Sequence, residues 1–578
     1  MSRTMMKAVL VIFALAAANP VPAQAAVPGR LREQLKEAQD AVAIERLCEP
    51  GTGIVFVLSK GQAARLDCGQ LGCGATEVLI WPTESVMHLY CVWDDGHISK
   101  RGTRRTNARI SWIPAPPVVL FWLDWKSSGE TVTIRLTAET DKDKLAEALK
   151  EIEQRWQEER KSLNVITAEE RLSGFARLWS AVKYNFAFFD QVPELDWDAV
   201  LDAYLPRVLQ DQTTQEYYRV LQECVARLRD GHTDVTPATA VTDTDMPPLL
   251  IRPVEGKAVV ADLVNTEELS KASVRRGMEI IHVDGRAVAD VLRENLYPYI
   301  SASTPQGLDR SAYSRLLEGP QGTKVTVRLR ALDGSSQEVS LTRESYSSPP
   351  PWLPARQAVL EYRELADGIV YITLNSFESE DVVTEFDAVF DRLRQAQGVI
   401  IDVRINGGGS SSNADAITAR LTDKPLPSSA WKTRQYLPAF RAWGREEMWY
   451  HAPPELVPPR GDSPFLGPLV VLIGPGTVSA AEDFLIPLHA SGRAILVGER
   501  TAGTTGQPLF IDLPKGGQAR ICTKRDTYPD GREFVGVGVI PDVEVHPTQE
   551  DISAGRDTVL EKGIKVLRAV AAAPELDE

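Results

Sequence analysis

The C-terminal half of the chain carries two strand, helix, strand patterns, and these constrain the fold more than any other feature. Residues 368–374 (GIVYITL) form an apolar run. Residues 381–396 then follow helical spacing, and residues 398–404 (GVIIDVR) form a second run. The pattern starts again at Val470-Val471-Leu472-Ile473, passes a helical stretch from about Ser479, and reaches Ala494-Ile495-Leu496-Val497. Strands joined in this order through a helix pair in parallel, with a right-handed crossover. The reading is a multidomain α/β protein with its α/β core over 355–550, followed by a C-terminal helix over 551–578.

The 578 residues exceed what one core holds, and at ~100–200 residues per domain they predict three to five domains. The first 25 residues read as a secretory signal: Arg3 and Lys7 precede a short apolar run, and Ala23-Gln24-Ala25 forms a small-residue cleavage site. The expected location is periplasmic or secreted. Residues 27–137 read as a small β domain that holds four of the six cysteines, Cys48, Cys68, Cys73 and Cys91. In an oxidising compartment these can form two disulfides, with three possible connectivities. A metal site is the rival reading, but Cys68 and Cys73 lack zinc-type spacing and no nearby His completes a ligand set. Cys224 and Cys522 sit in apolar patterns and read as buried small hydrophobes.

Residues 138–240 form a helical domain, with Leu172, Phe175, Leu178, Trp179 and Val182 on one face. In 245–345, the stretch Gly277 to Gly285 has the form of a strand and turn, and Gly319 to Thr323 precedes alternating Val325, Val327 and Leu329. Three consecutive prolines near 350 mark a stiff linker. A net charge of −15 argues against nucleic acid as a partner. No segment of the mature chain is long and apolar enough to span a bilayer. No cofactor or metal cluster is implied.

Three loops carry chemistry. Asn406-Gly407-Gly408-Gly409 follows a strand, and its backbone N–H groups can approach a ligand closely; a plain tight turn is the alternative. Gly474-Pro475-Gly476-Thr477-Val478-Ser479 ends a strand and places Ser479 where a helix begins. Ser479 is there either a helix cap or a hydroxyl held where a helix N-terminus favours developing negative charge. His232, in Asp230-Gly231-His232-Thr233, supplies a base suited to neutral pH, or a structural hydrogen bond. His489 would lie about 15 Å along the helix from Ser479 at 1.5 Å per residue, too far to serve it.

Four segments in register resemble the C-terminal processing and tricorn-like serine peptidases: Asp402 to Gly409, Gly476 to Glu482, Val497 to Gly503 and Gly536 to Asp542. The resemblance extends over about 165–550 and includes the helical layer and a PDZ-like domain over 245–345, with the stretch 289–315 longer than that family usually has. It implies a crotonase-like core, Ser479 as nucleophile, and an oxyanion hole from the N–H groups of Gly408 and Ala480. The Ser/Lys branch places a lysine where this chain has Thr504, whereas the tricorn-like branch uses a His that falls on His232. That branch also orients its His with a preceding serine, here Gly231, and a late carboxylate, for which Glu533 lies closest. The resemblance thus implies an exported serine endopeptidase acting on peptide or protein substrates through an acyl-enzyme, with the PDZ-like domain engaging chain ends. The alternatives are a catalytically silent peptide-binding or scaffold relative, and an acyl transferase acting on esters.

Overall fold

The computed structural model describes the backbone of strands between Val42 and Glu139, and then residues 161–238, 244–343, 358–461 and 463–572. The signal segment, the linker near 350, Cys48, Cys68, Cys73 and the side chain of Cys91 lie outside the described residues. The chain divides into two compact units, residues 1–159 with 345–349 and residues 160–344 with 350–578. In the first unit the strands form a five-stranded and a four-stranded sheet. Among the described residues, no helix is long and apolar enough to cross a membrane.

The second unit is built on a six-stranded sheet in the order Leu360–Glu364, Ile369–Leu374, Gly398–Asp402, Leu469–Ile473, Ile495–Gly498 and Val543–Glu544. The first pair is antiparallel and the remaining pairs are parallel. Every residue of Ile369–Leu374, Gly398–Asp402 and Leu469–Ile473 is buried, as strands covered on both faces require. Side chains alternate between two cores. Val370, Ile372, Val399, Ile401, Val471 and Ile473 face one, together with Phe386 and Phe484 from the crossover helices Asp381–Leu393 and Ala480–Ala490. Ile369, Tyr371, Ile400, Val470 and Leu472 face the other, covered by Val559 and Leu567 of the helix Thr558–Ala571.

The helices Ala168–Asn185, Trp197–Leu209 and Thr214–Ala226 share the first of these cores through Phe175, Leu178, Val200, Tyr217 and Leu221. Thr167 with Glu170 and Thr213 with Glu216 form capping boxes that fix where the first and third helices start. After the third helix the chain turns through Arg229 at φ 51° and enters the strand Asp234–Thr236, paired antiparallel with Gln518–Cys522. The His232 loop is thereby set between the helical layer and the core. Residues 249–342 form an antiparallel sheet in the order Leu249–Val254, Lys257–Leu263, Glu279–Val283, Lys324–Arg330 and Ser336–Thr342. Its inserted helix, Pro305–Ser314, is preceded by Ser303 and the capping Thr304.

Candidate active site

Ser479 occupies the junction between the strand Leu469–Ile473 and the helix Ala480–Ala490. Its backbone lies at φ 58°, ψ −126°, a conformation that costs a non-glycine residue on the order of 1–3 kcal/mol and persists only where the surroundings impose it. Those surroundings are specific. The N–H of Ser479 donates to Thr504 O at 2.8 Å, and that of Val478 donates to Asn406 O at 3.0 Å. On the facing side, Gly408 sits at φ 97°, where an added Cβ would fall 2.7 Å from Ser479 Cβ and 2.8 Å from Val478 O. Only glycine allows the two loops to meet this closely.

The structure brings His232 to this junction: Nε2 lies 3.1 Å from Ser479 Oγ. His232 is 5% exposed, and its buried Nδ1 has no hydrogen-bond partner among the described residues. Burial, reinforced by the nearby cations Arg520 and Lys524, pushes the imidazole pKa down to about 3. The neutral ring is therefore the form present at neutral pH. Lys524 is itself paired with Asp526 at 2.9 Å, and burial raises that carboxyl to about 7.

Two groups with expected roles hold other partners in the structure. Glu533 makes no hydrogen bond to His232; both of its oxygens accept from Arg525 Nη2 at 2.6 Å, and Arg525 also pairs with Asp190 at 2.5 Å. Nη2 serves both oxygens while Nη1 serves Asp190, so Arg525 engages the Glu533 carboxylate. The expected oxyanion pair is also divided, because Gly408 N–H already donates to Asn406 Oδ1 at 2.9 Å. The N–H of Ala480 is the open donor of the two, with no acceptor among the described residues. His489 is remote, as the helix geometry requires, with its ring between Tyr528 and Asp542.

Groups that sequence reasoning missed hold the site together. Glu482 is fully buried; it accepts from Gly503 N at 2.8 Å, Thr504 N at 2.8 Å, Thr501 Oγ1 at 2.5 Å and Ser479 N at 3.3 Å. It thus clamps the 501–504 segment against the start of the helix. Its spacing of three from Ser479, that of a capping box, was the available signal. Asp230 is buried too, accepting from Thr233 Oγ1 at 2.6 Å and from Ser303 Oγ at 3.2 Å. Residues around Tyr436 pack on the helical layer, with Tyr184 and Tyr436 edge to face at 5.2 Å. A cavity of about 420 Å³ lies there, lined by Phe189, Trp197, Phe440 and Arg441 among others.

Two segments of the chain match known sequence profiles. The sequence profile of peptidase family S41 matches residues 368–545, and that of the tricorn protease C1 domain matches residues 167–226. Carboxyl-terminal-processing peptidase 3, chloroplastic, of Arabidopsis thaliana is 27% identical over 302 residues, 50% of this chain and 51% of that protein. The carboxyl-terminal-processing protease of Synechocystis is 30% identical over 229 residues, 39% of this chain and 48% of that protein. The chain thus spans about half the length of the curated relatives it matches. The crystal structure of mature CPAF shares the fold, with a TM-score of 0.57 at 18% identity, covering 69% of this chain and 97% of that one. With both profiles matched in chain order and processing peptidases among its relatives, residues 368–545 carry the peptidase family S41 profile and the chain is similar to the carboxyl-terminal processing peptidases.

Proposed function

We propose that this chain is an exported serine endopeptidase that cleaves peptide bonds through an acyl-enzyme. The observation that carries the reading is the 3.1 Å approach of His232 Nε2 to Ser479 Oγ at a strained junction. The neutral imidazole takes the hydroxyl proton as Oγ bonds to the scissile carbonyl carbon, and the carbonyl π electrons move to oxygen. Ala480 N–H receives that oxyanion; Gly408 N–H joins it by exchanging Asn406 Oδ1 for the more strongly accepting anion. His232 then returns the proton to the leaving amine, and water releases the acyl group by the same steps. The basic n-region, apolar run and small-residue cleavage site of the N-terminus support export. The sheet over 249–342, with edge strands Leu249–Val254 and Ser336–Thr342, supports capture of a peptide chain end by strand addition, as a PDZ-like domain would perform it.

One observation favours a second reading, a catalytically silent peptide-binding relative: among the described residues His232 Nδ1 has no acceptor, so no carboxylate there bonds the imidazolium formed in the reaction. A fluorophosphonate probe separates the two. The peptidase reading expects covalent labelling of the wild-type chain, its loss in Ser479→Ala, and a fall of about 10²–10⁴-fold in labelling rate in His232→Ala. An unlabelled but folded wild-type chain would establish the silent reading. Labelled protein that turns over esters and leaves peptides intact would indicate acyl transfer instead.

A further inference from the structure

Three departures from the family pattern meet at one point: glycine before His232, threonine at 504, and the long stretch 289–315. The meeting point is Ser303, contributed by that stretch. Its hydroxyl accepts from Gly231 N at 3.0 Å and from Thr504 Oγ1 at 2.8 Å, and donates to Asp230 Oδ1 at 3.2 Å. One donor and two acceptor sites are all a serine hydroxyl has, and each is used. Asp230, which is buried, also holds the loop at Thr233, accepting from its hydroxyl at 2.6 Å and, on the backbone carbonyl, from its N–H at 3.1 Å. Thr504 in turn receives the N–H of Ser479 on its carbonyl at 2.8 Å.

We propose that Ser303 is a positioning residue for the Ser479–His232 pair, acting on the histidine loop through Asp230 and Gly231 and on the nucleophile through Thr504. This rests on the peptidase reading of the same site. Ser303 is itself anchored. Thr304 Oγ1 donates to Ala502 O at 2.8 Å, and Gln306 Nε2 donates to Thr501 O at 2.9 Å. The residues flanking the hydroxyl therefore hold the same 501–504 segment that Glu482 clamps from the other side. An imidazole with no partner on Nδ1 is oriented by its backbone, and that backbone is held by Asp230 and Ser303. The hydroxyl does for the loop what a carboxylate on the ring does elsewhere, at one remove.

The test compares Ser303→Ala, Ser303→Thr, Thr504→Val and Thr504→Ser by the rate of fluorophosphonate labelling across pH 5–9. Saturation kinetics separate probe binding from the bond-forming step. Ser303→Ala and Thr504→Val are expected to slow bond formation by about tenfold or more with probe affinity unchanged, because displaced reacting groups lose rate steeply. Ser303→Thr and Thr504→Ser, which keep the hydroxyl, are expected to restore most of it. A purely structural role would lower the melting temperature and leave the rate per folded molecule and its pH profile alone, and that result overturns the proposal. If the wild-type chain does not label, the peptidase reading fails. The His232 ring proton resonance then decides the positioning role alone: a shift unchanged in Ser303→Ala overturns it, and a displaced shift supports it.

Discussion

Gly231 and Thr504 fit each other by exclusion: a Cβ built on Gly231 would lie 2.8 Å from both Oγ1 and Cγ2 of Thr504. Real Cβ contacts do not reach that distance, so any side chain at 231 displaces either the histidine loop or the 504 segment. The two departures from the family pattern are therefore one structural choice. Gly231→Ala is expected to slow fluorophosphonate labelling by about tenfold, equivalent to about 1.4 kcal/mol. Thr504→Ala alone should slow it by a similar factor, through loss of the bond to Ser303. The double variant should lose less than the product of the two single losses, because removing the Thr504 side chain makes room for a Cβ at 231. Additive losses in the cycle would show that the two positions do not share space.

His232 and Glu482 pull the stability profile in opposite directions. The folded-state pKa of His232 is depressed to about 3, so the unfolded chain binds its proton first. Its contribution to stability is full above the unfolded value near 6.5 and is lost as pH falls towards 3. Burial raises Glu482 to about 7 against the pull of its hydrogen-bond donors. Its contribution is full below the unfolded value near 4.3 and is lost as pH rises through 7. Between about pH 4.5 and 6.5 the two slopes oppose. Urea midpoints of His232→Phe should fall more steeply with rising pH than the wild type across this window, and those of Glu482→Ala should rise more steeply. Glu482→Ala should also lower overall stability by about 2–4 kcal/mol, since buried donors are left without an acceptor. Parallel pH profiles for all three proteins would contradict both titrations.

The legible part of the fold was the part encoded locally. The core strands announce themselves as unbroken apolar runs because both faces are covered, and Ser479 follows from a strand, a glycine turn and a helix start. The approach of His232 to Ser479 spans 247 positions, and no local pattern encodes such a contact; it was reached through the resemblance. Ser303 was illegible for a related reason, since a serine hydroxyl 72 positions from Gly231 becomes a hydrogen-bond hub only when the inserted helix docks. Asn406 was visible as part of the glycine loop, yet its capture of Gly408 N–H depends on a side-chain rotamer. Sequence position likewise misplaced Glu533, because nearness along the chain does not fix side-chain direction.

That last case carries a direct test. A bridge between Thr527 and Glu533 folds the chain back on itself and sets Glu533 against Arg525, where both carboxylate oxygens are engaged. Glu533 is about one-third exposed in its side chain, so the pair is screened by solvent and its loss costs about 1 kcal/mol or less. Glu533→Gln is therefore expected to label with fluorophosphonate within about twofold of the wild-type rate, a difference of about 0.4 kcal/mol in barrier. Its pH profile should be unchanged, because no charge next to His232 has been removed. If Glu533 instead oriented the ring, the same variant would lose two or more orders of magnitude in rate and shift its pH dependence, since the imidazolium would lose its counter-ion. Arg525→Met provides the complementary reading: it frees Glu533 and strands Asp190. It should lower the urea midpoint and leave the labelling rate of the folded protein in place.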